Sequence, residues 1–276
     1  VYFQYLNLGA APVIAAAALS AFFSGLGRTL IVMWVNVAMT AINIVFDYIL
    51  IFGNLGAPEM GIKGAAIATV IAQIFNFVAY FVIIVKPSYN REFHTLKGWM
   101  FEKELFARLV RFGVPSGVQF FLDMLGFTAF IMIMGRLGTI PLAATNIAFN
   151  INTIAFMPMI GFGIAISVLV GQYLGRGRPD IAQRSVYSGF IMTFGYMSAI
   201  ALMYVVFPEI FIAPFAVRSD PEYFARIRKL TLVLLKFVAV YSVFDTMNII
   251  FASAIKGAGD TRFVMYMIVL VSALVL

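Results

Sequence analysis

The sequence predicts an all-α, polytopic membrane protein. Three observations carry that expectation: 63% of residues are hydrophobic, only 11% are charged, and the mean hydropathy is +0.99. Such values lie far outside those of soluble domains, so lipid is the expected solvent. With no cysteine and a single histidine, His94, neither a disulfide framework, a thiolate metal site nor a histidine-cluster metal site can be built. The formal net charge of +7 comes from Lys and Arg scattered between apolar runs. That pattern reports membrane orientation rather than nucleic-acid binding, and no nucleic-acid partner is expected. The chain begins at Val1 and stops at Leu276 inside an apolar run, so both ends read as cut.

A bilayer core about 30 Å thick needs about 20 mainly apolar residues per helix. Six stretches meet this: Leu30 to Phe52, Ile62 to Val85, Phe112 to Met134, Ala143 to Val170, Val186 to Phe207 and Leu232 to Ile255. Val1 to Phe23 and Val264 to Leu276 read as incomplete spans at either end. Helix rather than strand is expected because lipid leaves no outside partner for a backbone N–H or C=O.

The longest polar break, residues 86–111, divides the chain into the end of one lobe (1–85), a linker (86–111) and a second lobe (112–276). Lys86, Arg91, Lys97, Lys103, Arg108 and Arg111 lie in the linker, and the loops on its side of the membrane add Arg28, Arg176, Arg178, Arg184, Lys256 and Arg262. The opposite side holds fewer: Lys63, Arg136, Arg218, Arg226, Arg228, Lys229 and Lys236. The excess places the linker in the cytoplasm. Gly25-Leu26-Gly27-Arg28-Thr29 is echoed 232 residues on by Gly257-Ala258-Gly259-Asp260-Thr261. Six spans separate the copies, so both face the same side, as in a parallel repeat of two pseudo-symmetric six-helix lobes truncated here at both ends.

Polar residues inside the apolar spans recur at helical spacing. Asn36, Thr40, Asn43 and Asp47 form one stripe, and Thr69, Gln73, Asn76 and Tyr80 a second. Ser116, Gln119 and Asp123, then Asn146, Asn150 and Thr153, then Tyr241, Asp245 and Asn248 continue the pattern. Amides and hydroxyls so placed can simply join helices at about 0.6 kcal/mol per contact. Carboxylates are different, since one aspartate at the bilayer centre costs about 2.5 to 3.5 kcal/mol. Helix joining does not require Asp47, Asp123 and Asp245, and the only basic residue read as intramembrane, Lys236, lies on the opposite helix face from Asp245. Ion or proton handling is therefore the expected role of the three acids. Counted from the cytoplasmic loops, Asp123 and Asp245 both lie about 15 Å deep, so they can meet, with Tyr241 one turn from Asp245.

At these residues the chain resembles the multidrug and toxic compound extrusion (MATE) family. The resemblance rests on FFSGLGRT ending at Thr29, INIVFDYILIFG ending at Gly53, GIKGAAIAT ending at Thr69, FGVPSGVQFFLD ending at Asp123, FMPMIGFGIAISVLVGQYLG ending at Gly175 and FDTMNIIFASAIKGAGDT ending at Thr261. Each stretch alone is weak, but together and in order they cover essentially the whole chain and align it with spans four to eleven of twelve. The resemblance implies a monomeric, multi-pass antiporter of the plasma membrane that exports small organic molecules, often cationic or amphipathic, in exchange for Na⁺ or H⁺, without a further cofactor and without enzymatic chemistry. It also implies two possible cation or proton sites, one at Asn43, Asp47 and Thr69 and one at Asp123, Tyr241 and Asp245. Gln119, Asn146, Asn150 and Asn248 would support them as polar stripes. Asp123 stands where many members carry Glu, which leaves the ion geometry open. Two alternatives stay open: a lipid-linked oligosaccharide flippase, which needs several cavity cations for pyrophosphate, and an intramembrane aspartyl protease using Asp245 and Asp260. A passive channel would differ from all of these in lacking coupling.

Overall fold

The computed structural model describes residues 6–7, 9–97, 101–216 and 221–275. Val1, Leu276 and Arg218, which enter the span and charge readings above, lie outside the described residues. Among the described residues every regular element is helical. The chain divides into two compact units, Val1–Glu102 and Lys103–Leu276.

The first unit contains α1 (Ala10–Gly25), α2 (Thr29–Phe52), a 3-10 turn (Asn54–Gly56), α3 (Ile62–Val85) and the short α4 (Pro87–Phe93). α3 packs on both α1 and α2. Their shared core gathers Ala16, Phe23, Val35, Tyr80 and Tyr89, with the Phe23 and Tyr80 rings stacked at 5.9 Å. Arg28, in the turn between α1 and α2, pairs with Glu92 at 3.4 Å and lies 4.7 Å over the Tyr89 ring. That turn and α4 therefore occupy one end of the unit.

The second unit contains α5 (Lys103–Arg136), α6 (Thr139–Gly175), α7 (Pro179–Val206), α8 (Pro208–Ala216), α9 (Pro221–Gly257) and α10 (Thr261–Val275). Pro87, Pro179, Pro208 and Pro221 each open a helix, where the missing N–H has no intrahelical partner to lose. The core lies between α6, α7 and α9, on Ala148, Ile151, Ala155 and Met159, Met197 and Tyr204, and Leu235 and Val238. α8 closes one end through Ile212 and through Glu209, to whose two carboxylate oxygens Arg228 of α9 donates from Nε and Nη2. Outside that core the pattern inverts: Trp34, Ile154, Ile191 and Leu202 are at least 63% exposed. In water this would be untenable over so wide an area, and in lipid it costs nothing.

Among the described residues six helices, α2, α3, α5, α6, α7 and α9, are long and apolar enough to cross a bilayer. Each covers a stretch expected from hydropathy, except that α7 stops one residue short of Phe207, and most overshoot it at one end or both. Residues 103–111, read as part of the linker, form the first turns of α5. The hydrocarbon slab limits the apolar run, whereas the helix goes on into the polar interface wherever nothing breaks it.

The Gly25–Thr29 and Gly257–Thr261 segments share one backbone design. Gly27 and Gly259 adopt φ of 75° and 92°. Around them the N–H groups of Gly27 and Arg28 return to Ser24 and Phe23, and those of Gly259 and Asp260 to Lys256 and Ile255. This is a Schellman turn. A third copy, which the 232-residue offset does not relate, closes α6 around Gly177, whose φ is 69°. The glycine pattern thus encodes the turn itself, wherever one helix must reverse into the next.

Candidate functional site

In the second unit α5 and α9 do not pack on one another among the described residues, while α6 and α10 each touch both. A cleft runs between α5 and α9, walled by the other two helices. Asp245, half-buried, projects from α9, with the Asn248 amide in polar contact one turn on. Asp123, exposed, projects from α5 with the Gln119 amide beside it. Asp123 lies within electrostatic range of both Asp245 and Lys256. Eleven residues separate those two on α9, about 16 Å at 1.5 Å per residue, so Asp123 sits between their levels and not squarely opposite Asp245.

The position of Lys256 corrects the reading of the charges. It belongs to the last turn of α9, not to a loop, and is a second cation available to the intramembrane acids alongside Lys236. Lys236 is exposed and makes no ion pair among the described residues.

Tyr241 lies one turn before Asp245, and its hydroxyl oxygen accepts a 2.8 Å hydrogen bond from Asn152 Nδ2. Asn152, only 5% exposed, in turn faces the Ser242 hydroxyl at 3.2 Å. Ser242 has one proton to share between Asn152 Oδ1 and the Val238 carbonyl at 2.6 Å. Because Tyr241 accepts from Asn152, its own proton is free to point elsewhere, and Asp245 is within its electrostatic range. Asn152 escaped the periodicity argument, which selected Asn146 and Asn150 on the same helix. Both of those are exposed, and Asn150 Nδ2 bonds back to the Asn146 carbonyl at 2.8 Å. The available signal was that Asn152 falls on the same helix face as Thr145, Ala148 and Ala155, the small-residue face buried against α7 and α9. Replacing Asn152 with Leu removes the donor to Tyr241 and buries an apolar group against a phenol. The expected cost is about 1 to 3 kcal/mol, read as a lower thermal midpoint that Asn152→Gln partly restores.

In the first unit two anchors set how α2 and α3 run past each other. The Tyr80 hydroxyl donates to the Val32 carbonyl at 3.5 Å, and a Cβ at Gly64 would stand 2.4 Å from the Leu50 carbonyl oxygen. Antiparallel pairing through these anchors sets Asn43 level with Thr69, Asp47 level with Ala66 and Thr40 level with Gln73. Asn43 Nδ2 and Asp47 Oδ1 are both shut off from solvent without a partner. Thr69 is satisfied within its own helix, donating to the Ala65 carbonyl at 2.9 Å. The open Asp47 oxygen suits a proton or an oxygen-ligated cation, whereas the open Asn43 Nδ2 is a donor and calls for an acceptor, not a cation.

A match to the MatE family covers residues 115–276, the greater part of the chain and all of the α9 constellation. The chain belongs to the MatE family. As a MatE protein it is an integral, multi-pass protein of the plasma membrane from a family of transporters, and not an enzyme. Proteins named probable multidrug resistance protein NorM from Mesorhizobium japonicum and Thermotoga maritima are each 29% identical, over 95% and 94% of this chain but only 56% and 54% of their own lengths. The chain thus spans about half the length of the curated relatives it matches. Among solved structures, a MATE protein in the bent conformation superposes with a TM-score of 0.82 at 18% identity, covering 97% of this chain and 57% of that one. A MATE protein in complex with MaL6 gives 0.82 at 19%, covering 97% and 58%. At these identities the likeness establishes the fold.

Proposed function

We propose that the intact protein is a secondary-active antiporter that exports organic compounds, cationic or amphipathic, in exchange for Na⁺ or H⁺. The observation that carries this reading is Asp245: a carboxylate in mid-helix, flanked by an oriented Tyr241 hydroxyl and within electrostatic range of a second carboxylate across a cleft. Such a group is costly in a membrane unless it exchanges a proton or cation. Two carboxylates within electrostatic range favour proton retention or cation binding, and Lys256 near Asp123 offers a tethered counter-charge when neither is bound. Asn43, Asp47 and Thr69 form a second candidate for the same chemistry. The division of the chain into two compact units supports reading residues 1–85 and 112–276 as parts of two lobes joined by a cytoplasmic linker. The names of the NorM relatives support multidrug export.

The test is transport by the intact protein in sealed vesicles loaded with a fluorescent organic cation. An imposed Na⁺ or pH gradient should drive dye against its own gradient, and an ionophore that collapses the gradient should stop it. Dye movement that only equilibrates, whatever gradient is imposed, would replace the antiporter with a passive pathway.

A further inference from the structure

Six exposed side chains of α9, Arg226, Lys229, Val233, Lys236, Val240 and Phe244, recur at spacings of three or four residues and so form one stripe. The stripe is turned away from the core. Leu235, Val238 and Ala239, which α9 buries where it packs on α6 and α7, fall on the opposite face. The first turns of α9 are held in place, because Phe224 and Ile227 are buried and Arg228 is bound by Glu209 of α8.

Along the stripe the cations come first and the apolar side chains follow. Arg226, Lys229 and Lys236 make no ion pair among the described residues, whereas Arg228, on another face, is neutralised by Glu209. The one acid at stripe spacing is Glu222, a turn before Arg226, so positive charge is in excess. Depth gives this order a meaning. Lys236 lies nine residues from Asp245, about 14 Å along the helix. Since Asp245 is about 15 Å deep, Lys236 stands at the far edge of a hydrocarbon layer about 30 Å thick. Lys229 and Arg226 then lie among headgroups and water, while Val240 and Phe244 stay within the hydrocarbon. Charge above and apolar surface below is the polarity profile of a phospholipid standing against the helix, and flexible lysine stems can carry their ammonium groups to its phosphate.

We infer that this stripe binds an anionic phospholipid, with the phosphate held between Lys229 and Lys236 and an acyl chain lying along Val240 and Phe244. Three cations against one carboxylate favour a headgroup of net negative charge over phosphatidylcholine, whose own cation they repel. Each basic residue near the membrane surface is worth about fivefold in that preference. The leaflet concerned, the outer one, rests on the cytoplasmic linker proposed above. The binding itself depends neither on that placement nor on the export reading.

Photoactivatable phosphatidylglycerol and phosphatidylcholine, each with a diazirine near the top of an acyl chain, test this. The intact protein is placed in phosphatidylcholine nanodiscs containing a few per cent of one probe or the other, irradiated and digested, and the cross-links are quantified by mass spectrometry. The ratio of phosphatidylglycerol to phosphatidylcholine label should be at least tenfold higher on the α9 segment holding Val233 to Phe244 than around Ile154, an outward residue of α6 with no cation at stripe spacing. Lys236→Gln should lower the α9 ratio about fivefold, and the double variant Lys229→Gln, Lys236→Gln should bring it to the Ile154 value. Lys236→Arg should keep the wild-type ratio. Arg228→Gln removes the same charge at the same end of α9 but off the stripe, and should also leave the ratio unchanged. Equal ratios at α9 and Ile154 in the wild type overturn the site, as does a preference that survives the double variant or falls equally in Arg228→Gln. Loss of the phosphatidylglycerol label in inorganic phosphate, but not in chloride of equal ionic strength, would mark a site for free anions and overturn the lipid assignment.

Discussion

Asp245→Asn is expected to reduce gradient-driven efflux to the level of empty vesicles while the protein is still made and inserted. The amide keeps the size of the carboxyl group and an oxygen that Tyr241 can address, so the Asn152 to Tyr241 contact at 2.8 Å has no reason to change. What is lost is the charge, and with it the capacity to hold a proton or to bind Na⁺ as an anion. The neutral side chain is also easier to place in lipid, by up to about 2.5 to 3.5 kcal/mol on insertion scales, so yield and thermal stability should hold or improve. Activity and stability thus move apart, which simple misfolding does not produce. The matching change in the first unit, Asp47→Asn, separates the two candidate sites: efflux that survives it and fails in Asp245→Asn assigns coupling to the second unit. Wild-type concentration of substrate by Asp245→Asn would refute the role proposed for this residue.

Gly257→Ala is expected to produce a large loss of stability from a single added methyl group, as Gly64→Ala should in the first unit. A Cβ at Gly257 would lie 2.4 Å from the Ser167 carbonyl oxygen and 2.9 Å from its Cα. Both are backbone atoms of α6, which cannot rotate aside as a side chain would. α9 packs more extensively on α6 than on any other helix, so the strain falls on the main joint of the second unit. Overpacking of this kind costs about 1 to 3 kcal/mol, a fall of about 3 to 10 °C in thermal midpoint for a unit of this size. The end of α9 also carries Lys256, so any shift there moves the cation relative to Asp123 and should slow transport in the protein that remains folded. Gly175→Ala is the control, since nothing lies within 4 Å of its added Cβ. Equal midpoints for the two variants would show that the helices part here at no cost.

Much of this molecule follows from its residues alone, because lipid imposes so few solutions. The apolar runs had to be helices of bilayer length, and Ile62–Val85 has those same bounds in the structure. Aspartates too costly to be decoration stood out at positions 47, 123 and 245 for the same reason. Glycines spaced by one residue marked the helix turns, since only a left-handed residue closes them. Periodicity, however, reports which residues share a face of one helix and is silent on which helix that face meets. Asn146, Asn150 and Asn152 sit on one helix, and only the register of α6 against α9 decides that Asn152 reaches Tyr241. The same holds for Lys256, which hydropathy assigned to a loop and the length of α9 carries to the neighbourhood of Asp123. The tight seams at Gly64 and Gly257 belong to this second class. Each depends on the distance between two helices, a quantity set by the packing of many side chains at once and written at no single position in the chain.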